Sequence, residues 1–339
     1  MGAREPTATA RGPSRGARLE KPDGLLRRLE WTVLRPLAAY LGGDERSLFR
    51  GPGMEISEVR VYQPGDDIRH IDWNITARST EAYVREAYTE RALDVWLVVD
   101  VSASLDWGTA RCLKRDRATE FVATAGQLLG QHGNRVGLLP FAERPLAVLS
   151  PASGRHHLLR LLAALDAEQQ TYRPGPTDLA AALDRTGSVV PRKSLLLVVS
   201  DFLCPDGWQR SLSRLARRHE VVAVSLRDPR EGELPDVGIV ALQDPETGRQ
   251  LTVDTSDRAL RQRFRQAGQA QREQLQAALL SCGVEQLALT TDAELLPALV
   301  AFLRARRQRR LSRAGARAAG SASLVHAAGG AGAALGVGA

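Results

Sequence analysis

The sequence predicts an α/β protein with a doubly wound, mostly parallel sheet of Rossmann-like architecture. Two apolar runs carry this prediction: LDVWLVVD, which ends at Asp100, and SLLLVVSD, which ends at Asp201. Continuous apolar runs of this length are typical of strands buried on both faces in the middle of a parallel sheet. Helical patterns alternate with further strand-like runs along the chain, which indicates helices on both faces of that sheet.

The β-α alternation extends over residues 92–227, which we take as the core. Further strands are predicted at Arg135–Phe141, Pro145–Leu149 and Glu220–Leu226, and helices at Arg117–Leu129, Leu158–Leu165, after Thr177 and at Trp208–His219. Residues 228–303 form a C-terminal hairpin-helix extension of the same domain. Its predicted elements are a hairpin around a DPETG turn, a helix at Ser256–Leu280, a strand at Val284–Leu289 and a closing helix.

Residues 25–91 precede the core as an N-terminal appended segment. Apolar residues at helical spacing from Leu25 to Leu41 predict a helix that Pro36 should kink or split. The stretch from Glu58 to Arg91 contains PGDD and IDW, with charged residues among apolar ones. We interpret it as a compact segment, fixed against the sheet by paired charges and turn hydrogen bonds, in preference to a second metal or catalytic site. Residues 1–24 are predicted to be a disordered leader.

Composition indicates a soluble globular protein. Hydrophobic residues make up 43% of the 339 and charged residues 25%. The net charge is +7, and residues 304–317 contain seven arginines and no acid, so the rest of the chain is neutral. A neutral body argues against a nucleic-acid partner. We interpret 304–339 as a basic, then Ala/Gly-rich, disordered tail that is dispensable for folding, and favour a solvated end over contact with an acidic partner or anionic membrane.

The cysteines and the hydropathy pattern favour a cytoplasmic location. Cys112, Cys204 and Cys282 are odd in number, far apart and without a Cys-x-x-Cys pair, which argues against a disulfide framework or a zinc site. The basic N-terminal residues are not followed by an apolar signal region. No apolar run reaches the length of about 18 residues that a transmembrane helix needs.

The loop after the first buried strand is the candidate functional site. Asp100, Ser102 and Ser104 form an Asp-x-Ser-x-Ser motif at the carboxyl end of that strand, the edge where open α/β sheets bind ligands. Three short oxygen-bearing side chains on a tight turn suit a hard cation such as Mg²⁺. The same residue types are also ordinary loop formers and helix caps, so the motif alone leaves both interpretations open.

Two later positions turn this motif into a longer pattern. Thr177 lies in a Gly/Pro turn before a helix, and Asp201 ends the second buried strand. The order resembles the metal-ion-dependent adhesion site of von Willebrand factor A domains. The resemblance implies Mg²⁺ or Mn²⁺ held by hydroxyls directly or through water, and by aspartates mostly through water, on Asp100, Ser102, Ser104, Thr177 and Asp201. One departure is Leu105, where many members have Met, but this residue is not a ligand.

The N-terminal segment carries a second resemblance. RVYQPGDDIRHIDW, followed by Ala77-Arg78, resembles the bacterial "domain of unknown function 58" family, in which such a segment precedes a von Willebrand factor A-like domain. The motif positions, interpreted as structural, are Arg60, Tyr62, Pro64, Gly65, Asp66, Asp67, Arg69, Asp72, Trp73 and Arg78. The resemblance implies a partnership with MoxR-type AAA+ ATPases and a chaperone-like role in assembling or activating other proteins.

These observations favour a binding module over an enzyme. The sequence contains no Gly-x-x-x-x-Gly-Lys-Ser/Thr loop, no Gly-x-Ser-x-Gly elbow and no His-Glu-x-x-His helix. The alternative is a metal-dependent hydrolase using the same site, because a cation with open positions can activate water. Such an enzyme would want carboxylates as direct ligands and a general base. A hydroxyl-rich site leaves the cation strongly electrophilic, which suits capture of an Asp or Glu presented by a client protein.

Overall fold

The computed structural model describes residues 21–41, 59–63, 66–85, 92–130, 133–171, 175–309 and 312. Its strands are β1 (Val59–Val61), β2 (Tyr83–Arg85), β3 (Asp94–Asp100), β4 (Arg135–Phe141), β5 (Leu149–Ala152), β6 (Leu195–Ser200), β7 (Glu220–Arg227), β8 (Ile239–Gln243), β9 (Gln250–Asp254) and β10 (Glu285–Thr290). Six of them form the central sheet in the order β10-β7-β6-β3-β4-β5. Only β5 runs antiparallel to its neighbour in this sheet.

Helices cover both faces of the central sheet. The α-helices of the described residues are α1 (Pro22–Leu29), α2 (Arg35–Leu41), α3 (Trp73–Thr76), α4 (Lys114–Gly130), α5 (Arg155–Gln170), α6 (Leu179–Val189), α7 (Trp208–Ala216), α8 (Arg258–Ser281) and α9 (residues 295–309). Within the described ranges, no helix combines the length and the apolar character needed to cross a membrane. The three cysteines are free thiols.

The central strand β3 is buried on both of its faces. Val95, Leu97 and Val99 belong to the hydrophobic core under α1, α4 and α5, whereas Trp96 and Val98 belong to the core under α6 and α7. Successive side chains of a strand point to opposite faces, so a strand between two helical layers needs apolar residues at every position. The predicted α/β fold with a mostly parallel, doubly wound sheet is confirmed.

The N-terminal helix is interrupted where Pro36 was expected to kink it. α1 and α2 are continuous through a π-helical turn, Glu30–Leu34, in which the N–H of Arg35 bonds to the carbonyl of Glu30. Proline clashes with the carbonyl four residues before it and provides no N–H, and a wider turn relieves both problems. Because the helix begins at Pro22, the last residues of the predicted leader belong to it; residues 1–20 lie outside the described part.

Proline also explains a misplaced strand. The sequence predicted a strand at Pro145–Leu149, but Pro145 makes only an isolated bridge to Phe141, and β5 begins at Leu149. Proline lacks the N–H that a sheet ladder requires, so Pro145 cannot donate a ladder hydrogen bond. The remaining predicted elements of residues 92–303 are present with end points shifted by a few residues.

The boundary predicted for the basic tail is wrong. α9 continues to residue 309, and Arg306 within it is only 2% exposed. Its guanidinium pairs with Glu220 at the start of β7 and lies 3.5 Å from Glu285 at the start of β10. Residues 304–309 therefore belong to the folded domain. Of the remaining tail, only residue 312 lies among the described residues.

The PGDD/IDW segment folds around short local hydrogen bonds. β1 and β2 pair antiparallel and enclose it. Asp66 accepts from the N–H of Gln63 at 2.8 Å, Asp67 from that of Arg69 at 2.9 Å, and Asp72 from that of Asn74 at 3.0 Å. The expected turn hydrogen bonds are thus present. Pro64 and Gly65 and the side chain of Arg60 lie outside the described residues.

The larger apolar side chains of this segment do not join the hydrophobic core. Ile68 is 66% exposed and Trp73 69% exposed. None of the described residues from 59 to 85 belongs to the hydrophobic clusters of the core. The β1–β2 hairpin instead buries Val84, which lies on β2. Local capping, more than burial of the Trp73 side chain, determines the conformation of the segment.

Replacing Arg306 with Ala should lower the free energy of unfolding by about 3 kcal/mol, because Glu220 and Glu285 would lose a shared, buried cation. Urea denaturation followed by circular dichroism measures the change. The matched control is Arg309→Ala, since Arg309 is half-exposed and also lies 3.5 Å from Glu285. That variant should lose less than about 1 kcal/mol. Equal losses in the two variants would contradict a structural role for the buried pair.

Replacing Asp72 with Ala should destabilise α3 locally by about 1 kcal/mol, because Asp72 is its N-cap and accepts from the N–H groups of Asn74 and Ile75. Hydrogen exchange of residues 73–76 should accelerate about fivefold at that cost. The control is Asp72→Asn, which keeps a capping oxygen and should exchange nearly as the parent does. Unchanged exchange in the Ala variant would show that the cap is not needed.

Candidate metal centre

Two neighbouring strands bring carboxylates to one edge of the sheet. β3 ends at Asp100, and Asp201 follows the last residue of β6. Because the two strands run parallel with Val99 opposite Val199, their carboxyl ends lie side by side. Asp100 is 0% exposed and Asp201 6% exposed. The edge therefore contains two neighbouring acidic groups with almost no access to water.

Asp100 is held from its own loop and from the adjacent strand. Its Oδ1 accepts from the N–H of Ser102 at 2.9 Å, and its Oδ2 accepts from the hydroxyl of Ser200 at 2.7 Å. Burial, together with the negative charge of Asp201, raises the pKa of Asp100 to about 7. A bound cation at this edge would stabilise the ionised form of the Asp100 carboxyl group, so the environment of Asp100 suits a cation.

The two serine hydroxyls of the motif converge. Ser102 Oγ and Ser104 Oγ lie 2.9 Å apart, and both residues are buried. A short 3₁₀ turn, Ala103–Asp106, follows Ser102 and brings Ser104 back beside it. Neighbouring oxygens of an octahedral Mg²⁺ site lie about 3 Å apart, since each is about 2.1 Å from the metal. The spacing of the two hydroxyls fits adjacent ligands of one cation.

Thr177 contacts a carboxylate that comes from a different part of the chain. It is 2% exposed and precedes α6, whose N-cap is Asp178. Its hydroxyl donates to Glu246 Oε1 at 2.8 Å, and Glu246 lies in the turn between β8 and β9. Burial raises the pKa of Glu246, and the negative charge of Asp201 adds to the effect. Thr177 and Glu246 are therefore close enough to Asp201 to share one electrostatic environment with it.

Asp201 is anchored by a lysine that the sequence analysis did not identify. Lys114 begins α4 and is 1% exposed. Its Nζ donates to Asp201 Oδ2 and to Glu231 Oε1, both at 2.6 Å. Burial would lower the pKa of Lys114, but the two carboxylates outweigh it and raise the pKa. The lysine is therefore ionised at neutral pH and offsets part of the negative charge at the edge.

The backbone after Asp201 is strained. Phe202 has φ = 57°, the one non-glycine residue with positive φ in the described part of the chain. The strain is held by hydrogen bonds on either side, since Asp201 Oδ1 accepts from the N–H of Leu203 at 3.0 Å and Ser200 Oγ accepts from that of Phe202 at 3.0 Å. The Phe202 ring also packs on Trp208, with centroids 5.5 Å apart. Strained residues of this kind cluster at functional sites.

The donor set of this edge fits a hard divalent cation. Asp201 and Glu231 bond to the ammonium group of Lys114, and the carboxylates of Asp100 and Glu246 interact with Asp201 through charge, so negative charge is in excess. The uncharged donors are hydroxyls, and oxygen ligands of both kinds suit Mg²⁺ or Mn²⁺. The described residues contain no group of three or more His, Cys, Asp or Glu side chains arranged to hold a metal. A cation here would therefore depend on Ser102, Ser104 and Thr177 as much as on the aspartates.

The five residues named from the sequence all lie at this edge, in two groups. Asp100, Ser102 and Ser104 are joined by hydrogen bonds, and Asp201 interacts with Asp100 through charge. Thr177 joins them through Glu246. Lys114, Glu231, Glu246 and Ser200 were missed. The first three reach the site only through contacts between distant parts of the chain; the position of Ser200, one residue before Asp201 on the adjacent strand, was the one usable signal.

Comparison with known proteins places the chain among uncharacterised relatives. An uncharacterized protein of Mycobacterium tuberculosis is 42% identical over 285 residues, which span 84% of this chain and 89% of the relative. An uncharacterized protein of Mycobacterium avium is 39% identical over 158 residues, spanning 46% of this chain and 92% of the relative. The first similarity extends well beyond the two motifs, so it reflects common descent of the domain.

Similar solved structures include BatB from Bacteroides thetaiotaomicron, with a TM-score of 0.39 at 13% identity over 64% of this chain and 100% of that one. They also include the SpRpn10 VWA domain, with a TM-score of 0.34 at 14% identity over 62% and 94%. Residues 58–274 match the family described as "Protein of unknown function DUF58". The family expected from the PGDD/IDW motif is thereby confirmed: the chain belongs to this family.

Proposed function

We propose that the protein is a non-catalytic, metal-dependent protein-binding module. The observation that carries the proposal is the pair of serine hydroxyls, 2.9 Å apart, at a sheet edge where buried carboxylates outnumber cationic groups. Such an edge has the ligands and the charge for one Mg²⁺ or Mn²⁺ ion. Topology supports the same conclusion, since ligands of open α/β sheets bind outside the carboxyl ends of the strands.

The residues of the edge would have distinct roles. Ser102, Ser104 and Thr177 would supply neutral oxygens to the ion. Asp100 and Asp201 accept hydrogen bonds with both of their oxygens, which suits contact with the ion through water. When bound, the cation supplies an electrophilic centre whose remaining position can take a carboxylate. The partner would therefore present an Asp or Glu, with surrounding surface providing most of the affinity.

We also propose that this module is an adaptor for a separate MoxR-type AAA+ ATPase, in chaperone-like assembly or activation of other proteins in the cytoplasm. The support is the resemblance carried by the PGDD/IDW segment together with the adhesion-type motif. The chain has no phosphate-binding loop of its own. Energy from nucleotide hydrolysis would thus have to come from the partner, while this chain would recognise the client.

Metal binding is tested by titrating the purified protein with Mn²⁺. One site is expected, and a concentration of 100 times the dissociation constant should stabilise the fold by about 2.7 kcal/mol. The double variant Ser102→Ala, Ser104→Ala should lose most of the affinity while keeping its secondary structure. The control is Ser188→Ala, on the surface of α6 and away from the edge. Equal binding by the double variant and the control would refute the site.

Partner capture is tested with a purified MoxR-type ATPase from the same organism. Surface-immobilised protein should bind it in Mg²⁺, and EDTA should weaken binding at least tenfold. Because the ATPase needs Mg²⁺ itself, the decisive comparison is between the parent and the Ser102→Ala, Ser104→Ala variant in Mg²⁺. The variant should reproduce the effect of EDTA. Equal binding of the ATPase by the parent and the double variant would show that the partnership does not use this edge.

The hydrolase alternative makes a different prediction for the same residues. A metal-activated water would turn over a phosphoester or peptide substrate, and Asp100→Asn would abolish that turnover. Incubation with bis-p-nitrophenyl phosphate and Mn²⁺ distinguishes the two functions. The binding-module proposal expects no turnover above that of the Ser102→Ala, Ser104→Ala variant, and metal-dependent hydrolysis by the parent alone would overturn it.

A further inference from the structure

We propose that Glu246 is an internal ligand of the cation site, supplied by the turn of the β8–β9 hairpin. The inference rests on the proposed metal-binding function and concerns the position left open for a carboxylate. In the structure the hydroxyl of Thr177, one of the proposed ligands, contacts a carboxylate of this same chain. The hairpin would then occupy the site before any partner does.

Glu246 is fixed to the site by its side chain and by its backbone. Its Oε1 accepts from the hydroxyl of Thr177 at 2.8 Å, and its carbonyl accepts from the N–H of Gly175 at 3.2 Å. Two bonds from the Gly175–Thr177 loop to one residue define both the position and the direction of the carboxylate.

The turn itself is rigid enough to present Glu246. Asp244 Oδ1 accepts from the N–H of Glu246 at 2.9 Å, and Asp244 Oδ2 accepts from the hydroxyl of Thr247 at 2.6 Å. The N–H of Asp244 donates to the carbonyl of Arg249 at 2.9 Å, which closes the base of the turn. These bonds hold the chain on both sides of Glu246, so its carboxylate is placed by the turn.

The distance between Thr177 Oγ1 and Glu246 Oε1 is that of neighbouring metal ligands. Adjacent oxygens of an octahedral Mg²⁺ site are about 3 Å apart. Thr177 Oγ1 and Glu246 Oε1, at 2.8 Å, match this spacing, as do Ser102 Oγ and Ser104 Oγ at 2.9 Å. A cation held by Thr177 would therefore meet the Glu246 carboxylate without a large rearrangement, and would relieve its repulsion from Asp201.

The strands of the hairpin are not part of the central sheet. β8 and β9 form a separate two-stranded sheet, and Ile239 and Leu251 are 68% and 58% exposed. An isolated hairpin is marginally stable in water. Contacts at the turn therefore hold one end of the hairpin, while Arg261 of α8 holds the other through the carbonyl of Thr255 and the carboxylate of Asp236. Displacement of Glu246 by the carboxylate of a partner would release the hairpin, so capture of a partner would be coupled to a change in this exposed surface.

The test measures Mn²⁺ affinity by electron paramagnetic resonance and hydrogen exchange of residues 239–254 by mass spectrometry. Glu246→Gln keeps the shape and a hydrogen-bonding oxygen but removes the charge. It should weaken Mn²⁺ binding more than about tenfold, since even partners outside the ligand shell contribute 10- to 100-fold. Mn²⁺ should slow exchange of the hairpin at least threefold in the parent and leave it unchanged in Glu246→Gln.

The control is Asp254→Asn, which removes one negative charge from the other end of the hairpin. It should bind Mn²⁺ and protect the hairpin as the parent does. If Glu246→Gln binds Mn²⁺ with the affinity of the parent, or if Mn²⁺ does not slow hydrogen exchange of the hairpin in the parent, the inference is wrong. Neither result would contradict the cation site itself. Absence of Mn²⁺ binding in the parent would overturn both. The exchange measurement on the parent needs no variant, so a folding defect in Glu246→Gln would not prevent a decision.

Discussion

Burial of the central sheet on both faces is the constraint on which the rest of the structure depends. β3 and β6 lie between two helical layers, so every side chain along their length must be apolar. A polar group inside such a strand would be buried without a partner, at a cost of a few kcal/mol. Polar side chains can enter only where the strands end. The same requirement that builds the core therefore confines Asp100 and Asp201 to one edge.

Lys114 shows how that edge tolerates its own acidity. Two neighbouring carboxylates without water repel each other, and an ammonium group 2.6 Å from one of them offsets part of the repulsion. Because Lys114 also bonds Glu231, it joins α4 to the segment after β7 as well as to β6. The lysine thus serves the packing of three elements and the electrostatics of the edge together.

The sequence was sufficient for the features that depend on neighbours in the chain. Apolar runs identified the buried strands, and the spacing of Asp100, Ser102 and Ser104 fixed their shared loop. Lys114, Glu231 and Glu246 were not predictable, because their contacts join residues 87, 117 and 69 positions apart. The burial of Arg306 was not predictable for a related reason. A run of arginines has the composition of a solvated tail, and only the fold shows that one of them lies beside two glutamates.

The hydrogen bond from Ser200 to Asp100 has a consequence for how variants of this protein would behave in a cell. It spans two strands, so the edge exists only while β3 and β6 are paired in register. A one-residue slip would turn Asp100 toward the opposite face. Formation of the site and folding of the domain are therefore one event. A cavity-forming substitution in the apolar strands that unfolds the domain would therefore also remove the site, although it touches no polar group.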